Sequence, residues 1–228
     1  MDKKTALTLL ETTCQKQFGC ELKEATKQQV YKALCIIVKD ILVEKNVEFK
    51  NKTKKKGDKQ VYYMSMEFLV GTSLHNNLYN LKIEDKFKSV LKDNGIDIEE
   101  IYEMEPDAGL GNGGLGRLAS CYMDSLSSLG IPATGYSIRY EFGIFKQKII
   151  DGWQMEFPDD WLNLGDVWLS ARPDESVTVK FGGRINEYTN ESGYHVEHLD
   201  YVPVVAVPYD MYISGYDSKA VNKLVLWS

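Results

Sequence analysis

Five glycines fall within eight residues at Gly109, Gly111, Gly113, Gly114 and Gly116, inside the stretch Glu105–Arg117. Glycine permits left-handed backbone angles and lacks the Cβ that would block a ligand. A helical apolar pattern follows at once, with Leu115, Leu118, Tyr122, Leu126 and Leu129 at spacings of three and four. A glycine loop that runs into a helix start presents unpaired N–H groups and the positive end of the helix dipole, the arrangement that binds anions. The chemistry expected here is phosphate or sugar-phosphate binding, and the competing reading is a tight turn that serves only helix packing.

A second group comes from the segment before the loop. Val61–Met66 (VYYMSM) is short, aromatic and β-prone, which predicts a buried strand, and Glu67 follows where that strand would end. A carboxylate at the carboxyl end of a strand is placed for ligand contact in an open α/β sheet, or serves as a surface or capping acid. The loop also contains GxGxxG twice. A dinucleotide site would need an apolar strand immediately upstream, and Glu103–Asp107 is acidic instead. The chain has no GxxxxGK[ST] and no GxSxG. His195 and His198, three apart in a predicted strand, point to opposite faces and make poor co-ligands. No acid/base pair emerges from Asp159 and Asp160.

The elements that must position these groups read as α/β. The first 20 residues suggest a short helical lead-in. Residues 24–45 carry a helical stripe of Val30, Leu34, Ile37, Val38 and Ile41. Lys50–Lys59 reads as a solvated, lysine-rich loop. Residues 72–81 and 86–94 suggest two helices, the second stopped at Asn94-Gly95, and 99–107 a short third. After the loop helix, Gly130-Ile-Pro is a stop, Ala133–Tyr140 a strand, and 141–150 a turn with an extended or helical piece ending at Asp151-Gly152. Trp153, Trp161 and Trp168 either pin irregular loops to the core or offer ring faces to a sugar. Residues 176–188 predict a β-hairpin turning at Gly182-Gly183, and 194–201 and 204–207 predict further strands. Lys219–Ser228 begins another element on an apolar run, so the chain reads as cut rather than finished.

The 228 residues, 43% hydrophobic with net charge −6, suit one large domain or a domain plus an appendage. The acidic balance argues against nucleic acid. Cys14, Cys20, Cys35 and Cys121 lack CxxC spacing, so reduced thiols are expected rather than disulfides or metal ligands. With no signal peptide and no membrane-length apolar run, a cytoplasmic protein is expected.

Several runs together resemble one family. Tyr62–Phe68 (YYMSMEF), Glu105–Ala119 (EPDAGLGNGGLGRLA), Gly135–Phe145 (GYSIRYEFGIF), Gly152–Met155 (GWQM), Asp160-Trp161 and Ala171–Pro173 (ARP) are similar to glycogen (α-glucan or maltodextrin) phosphorylases, from about residue 28 to the end. The resemblance implies a B-type glycosyltransferase with two Rossmann-like domains facing a cleft. It implies release of glucose 1-phosphate from α-1,4-glucan ends (glycogen, starch or maltodextrin) by inorganic phosphate, with pyridoxal 5′-phosphate as cofactor and a homodimer as the working form. On this chain it places Asn112 and Gly114 beside the cofactor, and Glu67, Gly113, Gly114 and Leu115 beside the substrate phosphate or glucosyl unit.

The family's cofactor lysine and basic phosphate-binding residues belong to a second domain. The expectation is therefore residues 1–60 as helical lead-in, 61–228 as an incomplete N-terminal Rossmann-like domain, and no cofactor domain. A fragment inactive alone follows, with no catalytic residue, no metal and no covalently bound cofactor of its own. The resemblance does not extend to the phosphorylatable basic N-terminal tail of the animal relatives, and the lysine-rich stretch stands where they keep aromatic effector contacts, so neither a phosphorylation switch nor AMP activation is expected. A non-catalytic glucan- or partner-binding module and a nucleotide-sugar glycosyltransferase fragment are the alternatives.

Overall fold

The computed structural model describes residues 1–228. Its N-terminal part is helical. Helix α1 (Lys3–Phe18) starts on Asp2, whose carboxylate accepts the Thr5 N–H at 2.8 Å. Helix α2 (Lys27–Lys56) starts on a reciprocal capping box between Thr26 and Gln29. Val30, Leu34, Ile37 and Val38 are buried as the stripe requires. Three short helices, α3 (Leu74–Asn80), α4 (Glu84–Asp93) and α5 (Ile98–Tyr102), close over α1 and α2 around one apolar cluster that includes Leu10, Tyr31, Leu34, Phe87 and Ile101. Asn94-Gly95 ends α4 as expected, with Gly95 at φ 74°.

The lysine-rich stretch is not a loop up to its end. Helix α2 continues through Lys56 and stops at Gly57, whose left-handed φ of 70° lets its N–H reach the Thr53 and Lys54 carbonyls. Lysine is a good helix former, and Lys54, Lys55 and Lys56 face the negative end of the dipole.

The second layer is a five-stranded mixed sheet in the order β1 (Val61–Met64), β2 (Ala133–Ile138), β11 (Val221–Trp227), β10 (Pro208–Ser214), β5 (Ser170–Ala171). Strands β1, β2 and β11 run parallel, and β10 is antiparallel to both its neighbours. The β1–β2 crossover carries α3 to α5 and then α6 (Gly114–Ser128), as a parallel pair demands. Strand β1 is half-buried rather than buried: Tyr63 packs toward α6 while Tyr62 and Met64 are exposed. Strand β10 begins at Pro208, where the sequence suggested a strand end.

Between β2 and β10 the chain leaves the sheet. Strands β3 (Gly143–Ile150) and β4 (Trp153–Asp159) form a hairpin turning at Asp151-Gly152, both at positive φ. Strands β6 (Val177–Phe181) and β7 (Arg184–Asn190) run out, and β8 (Gly193–Leu199) and β9 (Val202–Ala206) run back. The pairs are β6 with β9 and β7 with β8, so Gly182-Gly183 is not the hairpin turn. It is a break within one long ribbon whose turn lies at residues 191–192. Gly182, Gly183 and Asp200 all have positive φ at that break, and the His198 ring nitrogen lies 2.6 Å from the Gly182 carbonyl oxygen. No helix is long and apolar enough to cross a membrane.

Candidate functional site

The glycine loop is built against the segment that leaves β1. The Phe68 N–H donates to the Leu110 carbonyl at 2.8 Å and the Leu69 N–H to the Gly116 carbonyl at 3.0 Å. The Ala108 N–H reaches the Gly71 carbonyl at 3.4 Å. Between these ties, Oε2 of Glu67 accepts the backbone N–H of Asn112 at 2.9 Å and of Gly113 at 3.3 Å. Glu67 therefore caps the loop where α6 begins. The structure brings Glu67, Asn112, Gly113, Gly114 and Leu115 into one place.

The five glycines divide into two kinds. A Cβ on Gly109 would sit 2.5 Å from Cδ1 of Trp161. One on Gly111 would sit 2.6 Å from the Leu69 nitrogen, and one on Gly116 would lie 2.8 Å from Cβ of Glu67. These three have no room for a Cβ: Gly109 meets the Trp161 ring and the Gly143 backbone, Gly111 the Leu69 backbone, and Gly116 the Glu67 side chain. At Gly113 and Gly114 a Cβ would meet nothing within 4 Å. None of the five has positive φ, so the loop uses the missing Cβ and not left-handed freedom.

Gly113 is the N-cap of α6, with φ −128° and no side-chain capping bond. The N–H groups of Gly114, Leu115 and Gly116 donate to no group of the protein. They form a helix N-terminus whose dipole favours negative charge. Beside it Glu67 has one oxygen engaged by two N–H groups and the other, Oε1, unpartnered. Donors for an anion and an acceptor for a hydroxyl thus lie side by side, the complement of a phosphorylated polyol. No strand precedes the loop; α5 and a turn do, which removes the structural context of a dinucleotide fingerprint.

Helix α6 reaches the sheet by its small face. Gly116, Ala119, Ser120, Met123 and Ser127 are buried. The apolar stripe read from the sequence faces outward instead: Leu115 is 61% exposed, Leu118 51%, Tyr122 50% and Leu129 74%, with Leu126 half-buried. Close approach of α6 to β10, β11 and β2 selects mostly small residues, Met123 apart, leaving Leu115, Leu118 and Leu129 on the opposite side.

The three tryptophans have three environments. Trp161 is buried against Gly109 and donates its Nε1–H to the Tyr140 carbonyl at 3.1 Å. Trp168 donates to Oε1 of Glu105 at 2.7 Å. Trp153 lies in β4 and is 75% exposed. Glu105 carries a role that sequence reasoning missed. Its carboxylate accepts the Ser73 and Leu74 N–H groups at 2.8 and 2.9 Å, capping α3 across 32 and 31 residues. Burial pushes its carboxyl above the usual range, and the three N–H donors oppose that shift. His75 stacks on Tyr102 and approaches Glu84 at 3.3 Å, while His195 and His198 lie on opposite faces of β8. A large recess, about 640 Å³, lies between the C-terminal part of α2 and the face of the sheet that carries Tyr62 and Tyr136. Tyr63 points the other way, toward α6, so this recess and the glycine loop lie on opposite faces of β1.

The chain is 44% identical over 222 residues to the glycogen phosphorylase of Bacillus subtilis, an alignment covering 97% of this chain and 27% of that protein. It is 45% identical over 204 residues to the brain form of glycogen phosphorylase from Bos taurus and 46% identical to the muscle form from Ovis aries, each alignment covering 90% of this chain and 24% of the relative. The chain spans about a quarter of the length of the curated relatives it matches. The family model described as carbohydrate phosphorylase matches residues 91–228, more than half of the chain, and includes the glycine loop, α6 and the whole ribbon. With that match and these relatives, the chain belongs to the carbohydrate phosphorylase family.

Proposed function

We propose that the protein carrying this chain releases glucose 1-phosphate from the ends of α-1,4-glucan with inorganic phosphate, and that Glu67 and residues 112–115 form one wall of the site. The observation that carries this reading is the pair of exposed, undonated N–H groups at Gly114 and Leu115, beside the free oxygen of Glu67 where Gly113 and Gly114 leave room for a ligand. The relatives named glycogen phosphorylase supply the reaction.

In this reading the N–H groups of Gly114 and Leu115 hold phosphate oxygens and stabilise charge that develops there. Oε1 of Glu67 accepts a glucosyl hydroxyl. Leu115, at the mouth, covers an apolar sugar face and excludes water. Pyridoxal 5′-phosphate, bound in the whole protein, supplies a phosphate group for proton transfer. The residues present fit one edge of such a group, because the cradle at Gly113 and Gly114 has no Cβ and offers only backbone donors. Asn112 and Gly114 are the residues of this chain that would border it. The mixed α/β sheet with its parallel β1–β2–β11 core supports a Rossmann-like N-terminal domain of a two-domain B-type glycosyltransferase. The exposed apolar side of α6 supports burial against further protein, in the rest of the polypeptide or in a homodimer.

The test is glucose 1-phosphate formation from α-1,4-glucan by the full-length protein. Formation that requires inorganic phosphate is expected. Glucan binding without product would support a binding module instead, and glucosyl transfer from a nucleotide sugar without phosphate dependence would support the other alternative.

A further inference from the structure

The peptide plane between Met66 and Glu67 is held in an unusual way. Strand β1 ends at Met64, and Ser65 is tied to β2 through its N–H to the Tyr136 carbonyl at 3.1 Å. Neither end of the next peptide plane takes part in a backbone–backbone hydrogen bond. The Met66 carbonyl accepts the Tyr140 hydroxyl at 2.9 Å, and the Glu67 N–H donates to the Ser65 hydroxyl at 3.3 Å. The Tyr140 carbonyl accepts the Trp161 indole N–H at 3.1 Å, and that indole packs against Gly109 at the start of the loop. The peptide group is rigid and planar, so fixing its carbonyl oxygen and its N–H fixes the N–Cα bond of Glu67, and with the next plane held by the Phe68 N–H on the Leu110 carbonyl at 2.8 Å the two planes set the direction in which Cα of Glu67 projects its side chain.

We propose that Tyr140 and Ser65 are positioning residues for Glu67, acting through this peptide plane. The two hydroxyls aim the Glu67 carboxylate under Asn112 and Gly113 and so keep the N-terminus of α6 open toward a ligand. The inference rests on the reading of the loop as a phosphate site, but its test does not require phosphate to bind. Without the Tyr140 hydroxyl the Met66 carbonyl loses its partner and the plane keeps only the longer Ser65 tie at 3.3 Å. The Glu67 carboxylate then spends less time on the two loop amides. One lost hydrogen bond of ordinary strength corresponds to a change of about three- to ten-fold in that occupancy.

Hydrogen–deuterium exchange by mass spectrometry in the full-length protein reads this directly. Tyr140→Phe keeps the ring and removes only the hydroxyl, and Ser65→Ala removes the other tie. Each is expected to speed exchange of the peptide spanning 110–116 by about three- to ten-fold, leaving the β10–β11 peptides unchanged. Glu67→Gln is expected to produce the same acceleration. Tyr140→Phe placed on top of Glu67→Gln is expected to add little, because both act on the same contact. Additive effects in the double variant, or an acceleration spread over the sheet, would show that Tyr140 serves only the fold. Unchanged exchange in both hydroxyl variants would overturn the proposal outright. Absence of phosphate-dependent turnover alongside the expected exchange pattern would sink the phosphate reading alone.

Discussion

Glu67 and Asn112 lie 45 residues apart in the chain, yet Oε2 of the carboxylate accepts the Asn112 N–H at 2.9 Å. That bond joins the end of β1 to the start of α6. It gives the loop an internal carboxylate that engages the first two N–H groups, while those of the next three residues donate to no group of the protein. A carboxylate so placed is a capping acid, and the proposed role of Glu67 as a site wall uses the oxygen that the capping leaves unengaged.

The division of the glycines has a direct consequence for stability. Gly111→Ala and Gly116→Ala push a methyl group into the Leu69 backbone and the Glu67 side chain, and each should cost about 1–3 kcal/mol, the scale of overpacking. Gly113→Ala and Gly114→Ala enter open space at negative φ and should change stability by less than about 1 kcal/mol. Urea unfolding of the four variants separates the classes. Equal losses at all four positions would contradict the packing described.

Helix α6 makes a second prediction, for the 228-residue chain. Leu118→Glu should alter stability by less than about 0.5 kcal/mol, because the side chain is half-exposed. Ala119→Leu should cost about 1–3 kcal/mol, since Ala119 is fully buried on the face that meets the sheet. The reverse order in thermal denaturation would mean that the large face of α6 is the packed one.

Glu105 predicts a pH dependence with a definite sign. Burial raises its folded-state pKa above the usual 4.5, so the folded protein holds this proton more tightly than the unfolded chain does. The stability linked to that proton is full below the unfolded value and is lost as pH rises through the folded one. Measured against Glu105→Gln, which does not titrate, the wild-type advantage should shrink as pH rises from the usual carboxylate value of 4.5 through the raised folded-state pKa. An advantage that grows over that window would show that the N–H donors from Ser73, Leu74 and Trp168 outweigh burial.

The break in the ribbon separates two neighbouring glycines. Both have positive φ, but a Cβ on Gly183 would also lie 2.4 Å from the Leu199 carbonyl oxygen, while one on Gly182 meets nothing. Gly182→Ala should cost about 1–2 kcal/mol for the left-handed conformation alone. Gly183→Ala should cost measurably more, as read from the chemical-denaturation midpoint. Equal costs would argue that the ribbon adjusts freely at this point.

Much of the helical part was legible, because caps and periodicity are local. The stripe from Val30 to Val38 and the stop at Gly95 lie within a few residues of what they determine, while the capping box at Thr26 and Gln29, equally local, was not read. Glu67 was legible as a carboxylate at a strand end. The side of α6 that packs was not, because small residues there answer to the closeness of β2 and β11, and sequence spacing alone favours the large apolar stripe. Gly182-Gly183 reads as a turn from local propensity. It became a break only through the long-range pairing of Val177 with Ala206 and Arg184 with Leu199. Strand β10 was hidden by Pro208 at its start. The roles of Glu105 and Tyr140 rest on contacts across 31 to 74 residues that no window along the chain contains.

Phosphorolysis by full-length protein bearing Gly114→Val tests the central assignment most directly. The added side chain enters a space that is open in the fold, at the position where the undonated N–H groups begin. The account predicts an unchanged unfolding midpoint with phosphate-dependent glucose 1-phosphate formation lowered by about 10²-fold or more, the scale of losing a preorganised donor. Wild-type turnover in that variant would contradict it and leave the loop with a purely structural role.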